Sequence, residues 1–101
     1  MKYLVTALSG NTPIPPEQAV ELYQAADKWI QERLAEGRLD CIYAFADSGG
    51  ISIGNGNSHE EVFGTLLTYP LYPYFRWEVK PLCDWGHTSG MIIEALLRGG
   101  G

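Results

Sequence analysis

The feature that most constrains the fold of this 101-residue chain is the order in which two hydrophobic periodicities follow each other. A helical periodicity covers two segments, residues 16–36 and residues 58–69. Segments rich in β-forming residues lie before, between and after them, at residues 2–8, 39–47, 51–54 and 75–80. The predicted order of elements is therefore strand, helix, strand, strand, helix, strand.

The first helix is predicted from its two ends and from its apolar side. Pro16 suits the first helical turn, and Gly37 suits the position after the last turn. At about 100° per residue, seven apolar residues share one arc: Ala19, Leu22, Tyr23, Ala26, Trp29, Ile30 and Leu34. Arg33 falls inside that arc, Asp27 lies at its edge and Lys28 points away from it.

Strand two and helix two are predicted from an apolar run and a capping signal. Residues 39–47 are almost continuously apolar, which is typical of a strand that is covered on both faces. Ser58 and Glu61 have the spacing of a capping box, so a second helix is expected to begin there and to end before Pro70. This helix is predicted to direct four apolar residues inward: Val62, Phe63, Leu66 and Leu67.

The last strand completes the prediction of the fold. Residues 75–80 alternate between apolar and charged side chains, which indicates one buried face, and Pro81 is expected to end the strand. The whole order predicts a ferredoxin-like α+β fold, with both helices on one face of a four-stranded antiparallel sheet. The other face is left bare, and residues 42–45 are apolar on both sides of their strand. We therefore expect a sheet-to-sheet homodimer.

Residues 84–101 depart from this plan and are predicted to form a C-terminal extension to a domain of residues 1–83. The extension carries an apolar run around Ile92 and Leu96. We expect a short helix that packs on a neighbouring subunit, with a lid on its own domain as the alternative. Residues 99–101 are all glycine and are expected to fray.

Composition excludes several classes of partner. The formal net charge of −5 argues against nucleic-acid binding, which needs a basic patch. No segment approaches the ~20 apolar residues of a membrane span, and the N-terminus lacks the apolar core of a signal peptide. We expect a cytoplasmic protein that binds neither nucleic acid nor membranes. Cys41 and Cys83 lack the spacing of a zinc site, and are expected as two reduced thiols, with a disulfide as the alternative.

Residues 66–83, "LLTYPLYPYFRWEVKPLC", resemble the corresponding stretch of the muconolactone Δ-isomerases. In that family a helix ends in a turn of Pro, a hydrophobic residue, an aromatic residue, Pro and Tyr, and a strand carrying Glu-Val follows. The matching residues are Pro70, Leu71, Pro73, Tyr74, Glu78, Val79, Leu82 and Cys83, preceded by Ser58, Glu60, Thr65 and Leu66. In the first helix, Lys28, Arg33 and Leu34 also match, whereas Asp27 stands where the family has Glu.

The resemblance implies a ferredoxin-like fold, homo-oligomers built from dimeric α+β barrels, and no metal or organic cofactor. It implies a small-molecule substrate, an unsaturated lactone with a carboxymethyl group, and an allylic proton shift in aromatic catabolism. Two segments differ from the family. Residues 41–46, "CIYAFA", replace a more polar and basic stretch, and the C-terminal extension has no counterpart.

Five residues are candidates for the site that this chemistry requires, which is a base, a donor to the developing enolate and a cation for the carboxylate. Glu78 is the candidate base that faces a partner sheet, and Asp27 is the alternative base. Arg33 is the candidate for carboxylate binding, Tyr74 for donation to a lactone carbonyl, and Lys28 for a contact from a neighbouring subunit. Each also has an ordinary structural interpretation, as a surface charge or a packing residue.

Two histidines are less favoured candidates for the base. His59 and His87 match no histidine of the family, so neither is favoured as the base.

Three functions are compatible with the sequence. The first function is a lactone isomerase. The second is a cofactor-free oxygenase or a related enzyme for an apolar substrate, which the apolar residues 41–46 favour. The third is a non-catalytic module for small-molecule binding or assembly.

Overall fold

The computed structural model describes residues 1–99 and shows the predicted ferredoxin-like α+β fold. Four strands form one sheet: β1 (Lys2–Ser9), β2 (Leu39–Ala44), β3 (Gly50–Asn55) and β4 (Phe75–Leu82). The helices of the described residues are α1 (Ala19–Ala35), α2 (His59–Leu66) and α3 (Trp85–Arg98), and a 3-10 turn spans Tyr72–Tyr74. Gly100 and Gly101, where fraying was predicted, lie outside the described residues.

The sheet has the strand order β2-β3-β1-β4, with all neighbours antiparallel. In the central strand β1, Val5 pairs with Ser52 of β3 and with Val79 of β4. Side chains alternate between the faces of a sheet, so Tyr3 and Val5 face α1 and α2. The opposite side, which we call the outer face, carries the partly exposed residues Leu4, Thr6, Leu8, Ile51 and Ile53.

The core lies between β1 and α2. Tyr3, Val5, Val62 and Leu66 form one buried cluster, and Leu71 is almost completely buried beside the turn that follows α2. Full burial of one such side chain stabilises the fold by about 1.5–3 kcal/mol. This cluster is small for a domain of this length, because α1 adds few fully buried side chains to it.

Helix α2 begins as the capping signal predicts. The Ser58 hydroxyl oxygen accepts a hydrogen bond from the backbone N–H of Glu61 at 3.1 Å. Only two of the four apolar side chains that were predicted to point inward are buried, and these are spaced four residues apart, at positions 62 and 66. Phe63 and Leu67 are 41% and 50% exposed, because each lies about 100° further round the helix than the buried stripe.

Helix α1 is shorter than predicted at its N-terminus. Residues 16–18 form a turn, in which the N–H of Gln18 donates to the carbonyl of Pro15 at 3.0 Å. Gly37 ends the helix in the left-handed conformation, with a φ of 76°, as its position predicts. The predicted apolar arc faces the sheet, but only Ala26 is fully buried there. The helix therefore stands over a space instead of packing directly onto the strands.

Strand β2 is an edge strand that a single chain leaves uncovered. It ends at Ala44, earlier than predicted, and Ile42 and Tyr43 are 38% and 67% exposed. The expectation of a strand covered on both faces therefore does not hold within one copy. A bulge at Asp40 places its carboxylate against the side chains of Lys2 and Asn55. The hydrogen bond from Lys2, followed by that from Asn55, lowers the pKa of Asp40.

Strand β4 continues through Pro81 to Leu82, so the prediction that Pro81 ends it is wrong. Pro81 pairs opposite Tyr3 at the edge of the sheet. An edge strand tolerates proline, because the missing N–H would face solvent. The predicted alternation is confirmed, since Trp77 faces the helices while Glu78 is exposed on the outer face.

The C-terminal extension is a 14-residue helix that stands away from the sheet. The Asp84 carboxylate caps it by accepting a hydrogen bond from the N–H of His87 at 3.0 Å. None of its residues is buried, and Ile92, Leu96 and Leu97 are 49% to 79% exposed. The radius of gyration is 17.1 Å, compared with about 13 Å for a compact chain of 100 residues. No helix in residues 1–99 is both long enough and apolar enough to cross a membrane.

Candidate functional site

A cavity of about 570 Å³ lies between α1 and the sheet, and residues of the β2–β3 hairpin also line it. Its volume falls within the 300–1,000 Å³ that is usual for small-molecule sites. Residues from α1, from all four strands and from the segment after α2 line it. They include Tyr23, Asp27, Trp29, Ile30, Leu39, Ile42, Phe45, Ser52, Tyr69, Leu71, Phe75 and Trp77. We call this space the main cavity.

The main cavity exists because a row of small residues crosses the sheet beneath α1. Ala44 of β2 pairs with Gly50 of β3, which pairs with Ala7 of β1. A Cβ added to Gly50 would lie 2.4 Å from the backbone oxygen of Tyr43, so the neighbouring strand permits no side chain there. The space that larger side chains would occupy stays open, and Trp77, opposite Ala7 on β4, closes the row.

Aromatic rings form one wall of the main cavity. The rings of Trp29 and Tyr69 lie 5.0 Å apart, and those of Tyr69 and Trp77 lie 5.7 Å apart with an edge-to-face geometry. The indole N–H of Trp29 donates to the Thr68 hydroxyl, and that of Trp77 donates to the Tyr72 carbonyl, both at 2.9 Å. Because both indole N–H groups are bonded within this wall, the rings are fixed in place.

Among the titratable groups that line the main cavity, Asp27 and Tyr69 supply a carboxylate and a phenol on neighbouring elements. Asp27 lines the main cavity from α1 and is itself exposed to solvent. Burial raises the pKa of the Tyr69 phenol, and the nearby Tyr23 raises it further. Tyr69 is therefore a protonated hydrogen-bond donor at neutral pH. A carboxylate base and a phenol donor thus line the same, mostly apolar cavity.

The structure separates the five residues that the sequence proposes for the site. Asp27 lines the main cavity, whereas Glu78 lies on the outer face, opposite Thr6 of β1. Tyr74 is half-buried in the 3-10 turn outside the cavity wall, and Lys28 is exposed on α1. Within one chain, Asp27 and Glu78 therefore cannot act on the same bound molecule.

Arg33 lies instead beside a second, smaller cavity of about 40 Å³, which we call the arginine cavity. Its lining includes Arg33, Arg38 and Thr65, and four further residues that also line the main cavity: Val5, Leu39, Ser52 and Leu66. The two cavities thus share a wall. The guanidinium of Arg33 also lies 5.1 Å from the ring centre of Trp29, a residue of the main cavity, at a cation–π distance.

Three functional candidates were missed in the sequence: Tyr69, Tyr23 and Arg38. Tyr23 was assigned only to the apolar arc of α1, and Tyr69 was not among the candidates. Local sequence patterns do not predict that the two phenols share one cavity, because this cavity brings together residues 46 positions apart in sequence, Tyr23 and Tyr69. Arg38 follows the helix-ending Gly37 directly, and this proximity to the end of α1 was the signal available for it.

Comparison with solved structures identifies two relevant neighbours. A crystal structure of muconolactone isomerase matches 83% of this chain and 90% of its own, with 26% identity and a TM-score of 0.72. A 5-chloro-2-hydroxyhydroquinone dehydrochlorinase from Burkholderia phenoliruptrix AC1100, in complex with 2,5-dihydroxybenzoquinone, covers 86% of this chain and 98% of its own. Its identity of 15% and TM-score of 0.64 show a shared fold alone.

No protein-family model and no curated protein matches the chain. The solved structure and the residues around Pro70 and Glu78 that carry the sequence resemblance point to the same family. The chain is therefore similar to muconolactone isomerase in both sequence and fold.

Proposed function

We propose that this protein is an enzyme that moves a proton within an unsaturated lactone or a related enolisable acid. The observation that carries the proposal is the presence of the Asp27 carboxylate and the Tyr69 phenol on the wall of one 570 Å³ cavity. The similarity to muconolactone isomerase supports the choice of reaction. The aromatic catabolism in which the family takes part is the metabolic setting that we propose with it.

The proposed reaction needs only a base and a donor. The Asp27 carboxylate removes a proton from the carbon next to the lactone double bond, and the C–H electron pair becomes a conjugated enolate. The Tyr69 phenol donates a hydrogen bond to the enolate oxygen. The Asp27 carboxyl then returns the proton to a different carbon of the conjugated system. The double bond moves, and no oxidant or reductant is consumed.

Glu78, Lys28 and Tyr74 have proposed roles only in an oligomer. Glu78 is exposed on the outer face, so it becomes the alternative base if a second copy covers that face and encloses it. Lys28 is exposed on α1 and can reach a ligand only in a neighbouring subunit. Tyr74 is a candidate donor at a subunit contact, since the 3-10 turn places it outside the main cavity.

We also propose a homodimer in which the outer faces of two sheets pack together, with residues 84–101 at a subunit interface. The partly exposed apolar residues of the outer face and the exposed apolar side of α3 support this arrangement. Exposed apolar patches beyond a few hundred Å² are rare on monomers and mark interaction surfaces.

Solvent deuterium tests the proposed reaction directly. The protein is incubated with muconolactone in deuterated buffer, and deuterium in the recovered lactone is followed by mass spectrometry. The proposal predicts incorporation well above that in a protein-free control, because the abstracted proton exchanges on the exposed Asp27 carboxyl. Incorporation no faster than in the control, with the lactone recovered unchanged, would reject the isomerase.

The apolar walls of the main cavity favour a second candidate function. Ile30, Ile42 and Phe45 are among the lining residues, and the sequence 41–46 is more apolar than in the family that the chain resembles. A cofactor-free oxygenase for an apolar aromatic substrate fits these walls. Non-catalytic small-molecule binding fits them as well. Oxygen consumption with a dihydroxyarene, without deuterium incorporation into muconolactone, would favour the oxygenase over both rivals.

A further inference from the structure

Strand β3 reverses the order of side chains that is usual for a strand with one buried face. Ile51 and Ile53 lie on the outer face, where they are partly exposed, whereas Ser52 between them faces the helices. Ser52 pairs with Val5 of β1 and with Ile42 of β2. Such a strand normally directs its apolar residues inward and its polar residues outward. The inward serine is therefore a local exception, and exceptions of this kind are expected at functional sites.

Ser52 is buried, and its hydroxyl has no partner. The residue is 9% exposed, and it is the only buried polar residue, aromatic residues aside, in the part of the chain that the structure describes. None of the side-chain hydrogen bonds within residues 1–99 involves it. Every fully buried side-chain oxygen or nitrogen in these residues has a partner, so the Ser52 oxygen must reach the surface of a cavity.

The hydroxyl belongs to the wall that the two cavities share, since Ser52 lines both of them. Its neighbours on the inner face of β3 are Gly50 and Gly54, which have no side chain that could cover it. The rest of the cavity floor, which is the inner face of the sheet, is apolar: Val5, Ala7, Ile42, Ala44 and Trp77. Ser52 is thus one polar point on an apolar floor, while Asp27 reaches the same cavity from α1.

We propose that the Ser52 hydroxyl binds an uncharged oxygen on the ring of a ligand in the main cavity. It can donate to a carbonyl oxygen or accept from a hydroxyl group. Ser52 is then a specificity-determining residue, because a hydrocarbon ring of the same size would leave its hydroxyl unpaired. The ligand class is a ring compound with a carbonyl or hydroxyl oxygen directly on the ring. The proposal rests on the proposed use of the main cavity as a ligand site, but not on the proton shift.

Phenol and toluene test this contact, because they have equal numbers of heavy atoms and differ by a hydroxyl in place of a methyl group. Binding to the full-length protein is followed by NMR through the indole N–H signals of its three tryptophans. Trp29 and Trp77 line the main cavity, whereas Trp85 on α3 is 75% exposed and is the internal reference. Both ligands are expected to shift the signals of Trp29 and Trp77 and to leave that of Trp85 unchanged.

Ser52→Ala removes the hydroxyl alone. It is expected to weaken phenol binding about 3- to 10-fold, the scale of one neutral hydrogen bond, and to change toluene binding less than about twofold. Ser52→Thr keeps a hydroxyl and is expected to retain most of the phenol affinity. Ser9→Ala is the matched control, since it removes a hydroxyl from an exposed position of β1 that lines neither cavity.

The melting temperature separates a ligand contact from a structural support. A buried hydroxyl without a partner does not stabilise the fold, so Ser52→Ala is expected to melt at or above the wild-type temperature. A lower melting temperature together with equal losses for phenol and toluene would show a structural role and overturn the proposal. Ser52→Cys is a second variant that keeps the shape of the side chain. Its thiol is a weak hydrogen-bonding group, so it is expected to lose phenol affinity as Ser52→Ala does.

Three further results would overturn the proposal. They are an unchanged phenol affinity in Ser52→Ala, a loss of phenol affinity in Tyr69→Phe alone, and no shift of Trp29 or Trp77 with either probe up to the solubility limit of toluene. A protein that shows the expected effect of Ser52→Ala on phenol but no deuterium incorporation into muconolactone keeps this contact and loses the isomerase. Deuterium incorporation with an unchanged phenol affinity in Ser52→Ala keeps the isomerase and removes Ser52 from ligand binding.

Discussion

At the scale of single residues, the proposed chemistry depends on the environment of Tyr69 more than on its position in sequence. Its ring is held between Trp29 and Trp77, and burial keeps its phenol protonated. Tyr74 lies in the 3-10 turn that begins at Tyr72. It has the same phenol group as Tyr69 but lies outside the cavity wall. Removal of the two phenols is therefore expected to have different effects on kcat in the same assay.

Tyr69→Phe is expected to lower kcat for muconolactone about 10²–10³-fold, the usual effect of removing one donor to a developing oxyanion. Tyr74→Phe is expected to change kcat less than threefold, because its ring does not line the main cavity. Steady-state kinetics with both variants, together with their thermal melting curves, provide the comparison. A larger loss in Tyr74→Phe than in Tyr69→Phe would move the donor to the 3-10 turn.

The raised pKa of Tyr69 also predicts how stability depends on alkaline pH. The phenol holds its proton more strongly in the folded state than in the unfolded state, whose ordinary value is 10.0. Its contribution to stability is therefore fully present below pH 10 and is lost as the pH rises above that value. Wild-type protein should lose stability relative to Tyr69→Phe only above pH 10. A constant difference in urea unfolding free energy across this range would show an unshifted phenol.

At the scale of secondary-structure elements, the row of small residues beneath α1 determines whether a cavity exists. Ala44→Leu places a larger side chain into the main cavity from β2. It is expected to reduce the affinity for muconolactone more than tenfold by occupying the space of the lactone ring, with the melting temperature within a few degrees of the wild type. Ala46→Leu, in the hairpin outside the cavity wall, is the control. Equal affinities in both variants would place the ligand elsewhere.

The order of the elements could be predicted from the sequence, because their signals are local. The Ser58 cap, the Gly37 helix end and the alternation in β4 each depend on neighbours within a few residues, and the structure shows all three. Pro81 was misjudged because its tolerance depends on β4 being an edge strand, which is a property of the sheet.

The cavity could not be predicted in the same way. It depends on the register that aligns Ala44, Gly50 and Ala7 across three strands, and register is fixed by pairing between distant segments. The sequence placed Asp27 only at the edge of the apolar arc of α1. In the structure α1 is separated from the small residues of the sheet by the main cavity, and Asp27 lines that cavity. The C-terminal end of α1 and the N-terminal end of α2 were predicted more accurately than the inward side chains of α2.

At the scale of the whole molecule, the outer face and α3 leave much apolar surface without a partner. Stable interfaces bury about 800 Å² per subunit, and the apolar side chains of the outer face and of α3 are available for such a contact. Ile53→Lys places a charge at the middle of the outer face and is expected to shift a dimer or larger oligomer to a monomer in sedimentation velocity. Val20 on α1 is 69% exposed, and Val20→Lys should leave the oligomer intact. A monomeric wild type at micromolar concentration would contradict the homodimer.

Asp27 and Glu78 lie on opposite faces of the sheet, so the proposed homodimer would enclose Glu78 and leave Asp27 in the main cavity. The most direct measurement is the kcat for muconolactone of Asp27→Asn and of Glu78→Gln, each with its melting temperature. The predicted result is a loss of about 10²–10⁴-fold in Asp27→Asn, the usual contribution of a general base, and less than threefold in Glu78→Gln. A severe loss in Glu78→Gln with an active Asp27→Asn would contradict the site between α1 and the sheet.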